Sequence, residues 1–534
     1  MTDIAASAPV ATAPSLDTGP GRIGLFIFVG LLTAGLLYTA YSLYLDVTEA
    51  HVSAAAWWPF LLLGVALVIA LGFEFVNGFH DTANAVATVI YTNSLPPHFA
   101  VVWSGTWNFL GVLFASGAVA FGILSLLPVE LILQVGRGAG FAMIFALLIA
   151  AILWNLGTWY FGLPASSSHT MIGSIMGVGI ANQLMAVDGV ATSGVDWAQA
   201  GKVFQALLFS PLIGFTLAAV LLVVLKIVAR NPALYRAPEG KRAPPWWIRG
   251  ILILTCTGVS FAHGSNDGQK GMGLIMLILI GAVPTAYALN RAMADADVTT
   301  FRAVSAQAER TLAKYAEVSS PGALRKPVEE YVRTRKIAPD TVAGIAKLAG
   351  VISGEVARYG HPRLVPTELV QNVRNDMYLV SEALRVLLKS GEVKLDPADK
   401  EVVSNYKRYL DKSTKFIPLW VKVAVAIALG LGTMIGWKRI VVTVGEKIGK
   451  NHLTYAQGAC AELVAMSTIA AADVFGLPVS TTHVLSSGVA GTMTANRSGL
   501  QGATVRNLLL AWVLTLPAAI MLSGGLYWLF RQVL

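Results

Sequence analysis

Apolar residues run through this chain in blocks of membrane-helix length. They fall at residues 23–44, 55–80, 99–127, 139–163, 171–187, 203–229, 248–289, 417–442, 455–475, 484–495 and 507–530. A hydrocarbon core of ~30 Å is crossed by about twenty apolar residues in a helix. Several blocks are too short to cross alone. The block 248–289 is too long for one straight helix and is expected to cross twice, as a hairpin or two helices. The pattern predicts an all-α polytopic membrane protein of about ten to twelve spans, some of them broken or re-entrant.

One block carries polar residues where lipid-facing ones are expected. Within residues 71–92 lie Glu74, Asn77, His80, Asp81, Thr82 and Asn84. A carboxylate at bilayer depth costs roughly 3 kcal/mol on insertion scales, so it marks a pathway or a partnered site. Gly78 amid this polar run predicts a helix that breaks there and frees backbone groups for a ligand.

The pattern changes between Asn290 and Phe416, which hold 21 Lys and Arg with 16 Asp and Glu, or 37 of the chain's 69 charged residues. Apolar residues recur there at three- and four-residue spacing, the sign of amphipathic helices. Pro321, Gly322, Pro327, Pro339, Pro362 and Pro366 divide the stretch into four or five helices. The resulting division is a disordered tail (1–21), a first transmembrane repeat (22–229) and a basic loop (230–249). The start of a second repeat (250–289), the soluble helical insert (290–416) and the rest of the second repeat (417–534) follow. Five basic residues against Glu239 place loop 230–249 in the cytoplasm. The insert is assigned to the same side, which requires the even number of crossings expected of 250–289.

Composition adds little to this and removes some classes. The chain is 55% hydrophobic and 13% charged, with a mean hydropathy of +0.64, so most of it lies in lipid. The first block follows no basic segment and reads as a retained helix, not a cleaved signal. Cys256 and Cys460 sit in separate apolar blocks, so neither a disulfide framework nor a cysteine zinc site is expected. A net charge of +9 reports loops of a membrane protein and gives no reason to expect nucleic acid.

The chain is duplicated. Asp81 over Asp267 aligns NGFHDTANA with HGSNDGQKG, and FGLPASSSHT (161–170) matches FGLPVSTTHV (475–484). From Asp81 to Pro164 is 83 residues and from Asp267 to Pro478 is 211; the difference of 128 is close to the 127-residue insert. Two inverted repeats around broken membrane segments are the plan of a secondary transporter with its site at the midplane.

Each Gly-Leu-Pro is a poor helix interior, and the hydroxyl run after it a good helix start. Ser166, Ser167 and Ser168 in one half, and Ser480, Thr481 and Thr482 in the other, would present hydroxyls beside unpaired N–H groups, an anion site suited to a tetrahedral oxyanion. Asp81 and Asp267 are wrong for an anion and suit a coupling cation: a proton, sodium, or a metal carried with the anion. Asn84 and Gln269 are further candidate anion ligands or structural hydrogen-bonding groups. Lys270, which has no counterpart in the first half, where Asn84 stands, would either bind the anion or neutralise Asp267. Four of the eight histidines, His80, His169, His263 and His483, lie in these motifs. His80, His169 and His483 are candidates for moving the coupling proton, with hydrogen-bonded orientation of a hairpin tip an equal reading for His169 and His483. Glu74, on the same helix face as Asp81, is a further proton site. Glu462 and Asp473 have apolar repeat mates and receive no role.

At these residues the chain resembles the inorganic phosphate transporter (PiT) family, whose duplicated signature reads approximately GANDxANA. The copies here are GFHDTANA (78–85) and GSNDGQKG (264–271), the second departing after its Asp. The likeness extends over the hairpin motifs, GTMIGWKRIVVTVGEKIGK (432–450) and LPAAIMLSGGLYWL near the C-terminus. It is strongest to the bacterial low-affinity branch. That resemblance implies proton-coupled phosphate symport in the inner membrane, partly as a neutral complex with divalent metal, without a resident cofactor. Relatives also use sodium, and some carry sulfate. A homodimer is one assembly the reading allows. From a different class, an intramembrane Ser/His hydrolase would use a tip serine with His169 or His483, but two equivalent half-sites argue against a single nucleophile. A passive anion channel would leave the carboxylates unexplained.

Overall fold

The computed structural model describes residues 16, 21–52, 58–127, 131–132, 138–186, 194–238, 240, 242–316 and 325–533, with the side chains of 82–84 excepted. The expected disordered tail (apart from residues 16 and 21), the insert's Pro321 and Gly322, and the side chains of Thr82 and Asn84 lie outside the described residues.

The membrane part is helical in both halves and repeats one order of elements. In the first half these are α1 (Arg22–Glu49), α2 (Trp58–Tyr91), α3 (Pro97–Phe114), α4 (Ala118–Leu124), α5 (Gly138–Tyr160), α6 (Ser167–Leu184) and α7 (Trp197–Val228). The second half begins with α8 (Trp246–Ala282). The insert supplies α9 (Asp295–Ala313), α10 (Lys326–Thr334), α11 (Pro339–Tyr359), α12 (Thr367–Ser390) and α13 (Pro397–Thr414). The second half then resumes with α14 (Leu419–Gly432), α15 (Lys438–Val442), α16 (Tyr455–Val474), α17 (Thr481–Ala495) and α18 (Gly502–Phe530). Among the described residues, five helices are long and apolar enough to span alone, or seven with two bent pairs counted. The remaining apolar blocks form shorter hairpin arms or, in α8, carry motif residues too polar for that test. The outer faces of α1, α7 and α18 expose Phe26, Leu37, Leu217, Val223, Val513 and Met521, the surface expected against lipid.

Two expectations change here. Gly78 does not break its helix: α2 runs unbroken for 34 residues and α8 for 37. The glycine serves close packing instead. A Cβ on Gly78 would overlap the Leu429 carbonyl of α14, and one on Gly432 the Phe75 carbonyl of α2. The same crossing recurs between Gly264 of α8 and Asn108 of α3, with Gly111 against Phe261. Small residues let helix backbones approach where lipid supplies no hydrophobic drive. Gly264→Ala is therefore expected to destabilise the chain by about 2 kcal/mol, as overpacking does. A thermal melt in detergent checks it, and an unchanged melting temperature would show that the crossing tolerates a methyl group.

The second correction concerns sides. Because α8 is continuous, 250–289 crosses once. At its start Arg249 Nε donates to the Ser94 carbonyl (2.8 Å), and Asn93 at the end of α2 reaches the Gly240 carbonyl (2.9 Å). Just past its far end, Tyr287 donates to Asp46 at the end of α1 (2.7 Å). Thus α2 and α8 run antiparallel, and the basic loop and the insert occupy opposite ends of the molecule. They cannot both be cytoplasmic.

Among the described residues the insert forms five α-helices, whose core includes Phe301 stacked on Tyr406 and Tyr409. One of its buried acids is paired twice over. Burial alone would raise the Glu382 carboxyl, but Lys415 and Arg385 together hold it down to about 2. Arg335 and Arg385 also reach Asp196 (2.6 and 3.4 Å), the residue that caps the start of α7. The insert is thereby tied to the membrane part.

Candidate functional site

The two Gly-Leu-Pro segments form the tips of hairpins, α5–α6 and α16–α17, that enter from opposite ends. The first returns to the insert end, where Asp196 follows α6. The second starts and ends beside the basic loop: Ala456 and Cys460 pack near Leu234 and Tyr235, and Asn496 accepts from Lys226 at the end of α7 (2.6 Å). At the tips, Ser166 and Ser480 are N-caps, each accepting from the backbone N–H of the histidine three residues on (3.2 and 3.1 Å). This is the standard use of serine at a helix start. Their oxygens are thus engaged with their own helices, leaving the hydroxyl protons to donate. Ser168 Oγ donates to the Val479 carbonyl (2.7 Å), joining tip to tip.

Asp81 lies where the tips meet. Its Oδ2 accepts from Ser167 Oγ of the first hairpin (2.7 Å) and its Oδ1 from Thr482 Oγ1 of the second. His80 Nδ1 is 3.6 Å from Oδ1, the ring being held from behind by Thr158 (3.1 Å). Across from it on α8, His263 Nε2 is 3.3 Å from Asp267 Oδ2 and 3.9 Å from Asp81 Oδ2, with Nδ1 on Asn108 Oδ1 (2.8 Å). Lys270 Nζ is 2.8 Å from Asp267 Oδ2 and 3.3 Å from Ser167 Oγ. Asp81, His263, Asp267 and Lys270 are all buried. One ligand atom each of Asp81, His263 and Asp267 lies within 4.8 Å of the others. Carboxylate oxygens and an imidazole nitrogen are groups that can hold a proton or a divalent ion.

Several candidates stand elsewhere. Gln269 is engaged away from the tips: its Oε1 accepts from the Val119 N–H at the start of α4 (2.9 Å) and its Nε2 donates to Asp473 (2.5 Å). Asp473 also accepts from Ser265 (2.7 Å), so the acid given no role fastens the second hairpin to α8. Glu462 likewise accepts from Thr88 of α2 and Thr255 of α8. The His169 and His483 rings pack against each other at a tilt (4.6 Å between centres), with His483 stacked on Trp512 (4.1 Å). They face a cavity of about 580 Å³ among α7, α17 and α18 instead of pairing with a carboxylate. Glu74 lies two turns from Asp81, bonded to Asn77 (3.4 Å) and packed on Gly271. Thr481 Oγ1 is buried without a hydrogen-bond partner. His263 is the motif histidine to which the sequence assigns no individual role, although it stands four residues before Asp267 on the same helix face, the spacing that signals it.

Spanning helices, paired hairpins meeting in the interior and a buried charged cluster define a multi-pass membrane transporter. The chain matches the model of the phosphate transporter family over residues 77–523, and it belongs to that family. It is 43% identical over 496 residues to the low-affinity inorganic phosphate transporter PitA of Escherichia coli (strain K12), covering 89% of this chain and 97% of that one. Similarity to PitB of the same organism is 41% over 492 residues, covering 89% and 97%. A probable low-affinity inorganic phosphate transporter of Bacillus subtilis (strain 168) is 27% identical over 475 residues, covering 89% and 98%. A solved structure described as the sodium-dependent phosphate transporter shares the fold at a TM-score of 0.50 and 20% identity, covering 89% of this chain and all of the other. The protein is an inorganic phosphate transporter and not an enzyme. Its bacterial relatives and helical spans fit the inner membrane, since outer-membrane proteins are β-barrels.

Proposed function

We propose that the chain imports phosphate, alone or complexed with a divalent metal, in symport with protons by alternating access between two inverted repeats. The observation that carries this reading is that Asp81 takes one hydroxyl from each hairpin tip. Ser167 and Thr482 can give their protons either to the carboxylate or to a phosphate oxygen. A proton or metal on Asp81 weakens it as an acceptor and turns both hydroxyls toward the anion. The N-termini of α6 and α17 and the Lys270 ammonium favour the same charge. Phosphate and its companion cation then bind together or not at all, which is the condition for coupling. Because the hairpins enter from opposite ends, movement of one against the other would open the site to each side in turn.

The test is uptake of labelled phosphate by proteoliposomes under imposed gradients. An inward proton gradient without sodium is expected to drive accumulation, and equimolar sulfate to compete weakly. Sulfate carries no proton at neutral pH to donate to Asp81, whereas HPO4 does. Uptake that follows sodium and ignores the pH gradient would overturn the proton assignment in favour of sodium coupling.

A further inference from the structure

We infer that Lys270 is a tethered cation filling one of two cation positions around which the duplicated site is built, so that Asp267 takes no cotransported ion. The inference rests on the symport reading above and assigns its ion stoichiometry.

The starting point is a mismatch between the repeats. Asp81 and Asp267 coincide, as do Gly78 and Gly264, yet Asn84 stands in the first copy where Lys270 stands in the second. The structure gives this difference a location. Lys270 Nζ lies 2.8 Å from Asp267 Oδ2 and 3.3 Å from Ser167 Oγ, with the Glu74 side chain packed against the next residue, Gly271. Carboxylate and hydroxyl oxygens around a buried ammonium are the donors that a small hard cation such as sodium also takes. Among the described residues no Lys or Arg makes an ion pair with Asp81, whose neighbours on that side are the rings of His80 and His263. One half-site therefore carries its own positive charge and the other must obtain one from solution.

Tethering alters the physics of the position. A covalently attached ammonium occupies it at any external ion concentration and needs no capture from water. It cannot leave with the substrate, so it carries no gradient energy. It also keeps a positive charge beside Ser167, the hydroxyl that chooses between Asp81 and the anion. The expected outcome is a transporter whose external cation requirement arises at Asp81 alone.

The experiment compares the full-length wild type with Lys270→Ala and Lys270→Asn, the latter giving the residue of the matching repeat position. Phosphate uptake is measured in proteoliposomes at one fixed proton gradient, in choline and in sodium media. Removing one partner of a buried ion pair is strongly destabilising to the charge left behind, so uptake by the variants in choline should fall roughly 100-fold. Sodium should restore at least about a tenth of the loss, on the order of tenfold, while leaving wild type unchanged. Sodium titrated into the detergent-solubilised proteins should raise the melting temperature of the variants and not of wild type, a readout independent of transport. Variants that transport normally in choline, or that are folded but gain neither uptake nor melting temperature from sodium, lithium or ammonium, would overturn the inference. Should wild type itself require sodium, the proton reading fails separately; the variants would then be expected to bind one sodium more than wild type.

Discussion

Asp81→Asn should abolish gradient-driven phosphate accumulation while the chain still inserts and folds. The substitution keeps shape and volume but changes two things at the atom level. Oδ1 of Asp81 accepts from Thr482 and Oδ2 from Ser167. An amide has one oxygen, so one of the two tip hydroxyls loses its acceptor and meets an N–H group. A buried donor left unmet costs about 1–3 kcal/mol, enough to shift the hairpin tips but not to unfold a chain of this size. The larger effect is on coupling, because the amide neither takes up a proton nor holds a cation at neutral pH. Accumulation in proteoliposomes is expected to drop by roughly two orders of magnitude, consistent with loss of a buried charged hydrogen-bonding centre. Concentrative uptake equal to wild type would show that Asp81 only fastens the hairpins together. Asp267→Asn is a weaker test, since it removes the partner of Lys270 as well.

The residues that could be read in advance were those whose chemistry conflicts with lipid. Asp81 and Asp267 stand out in any apolar block, and the hydroxyl runs after Gly-Leu-Pro announce helix starts; the structure brings both acids and both tips together. What could not be read was where a polar residue in such a motif sends its bonds. Gln269 sits two residues from Asp267 and looks like a ligand, but on a helix that spacing turns it away, toward α4 and Asp473. Asp473 and Glu462 have apolar repeat mates, and a symmetric reading discards them, yet each satisfies polar groups on a neighbouring helix. Gly78 was misread because glycine weakens an isolated helix, whereas here the backbone carbonyl of Leu429 occupies the space of the missing side chain. That contact is made by a residue some 350 positions away. The sidedness error has the same origin: an apolar run too long for one thin bilayer crossing can still be one helix when its ends project among other protein segments.

The motif histidine given no role of its own, His263, carries the second large prediction. His263 replaces the Asn77 of the first repeat, and its Nε2 edge faces Asp267 at 3.3 Å and Asp81 at 3.9 Å while Asn108 holds Nδ1 at 2.8 Å. Two carboxylates with atoms within 4.8 Å of one another repel by roughly 3–4 kcal/mol at an effective dielectric of about 20. Lys270 offsets only the Asp267 side. With His263→Leu the acids stay linked only through Lys270 and Ser167, so the imidazole no longer faces both carboxylates and their repulsion is offset from one side alone. Phosphate uptake is expected to fall by roughly 100-fold, which corresponds to about 3 kcal/mol. Asn108→Leu leaves the imidazole in place but frees its orientation, and should lower uptake by about tenfold, in the range of a lost second partner to a site histidine. The ordering is the test. If His263→Leu transports as well as Asn108→Leu, the ring is packing and the acids do not communicate through it. If the two fall in the expected order while both proteins keep their melting temperature, the histidine links the two halves of the site, a second link beside the one through Ser167 and Lys270, and cation binding at Asp81 is felt at Asp267.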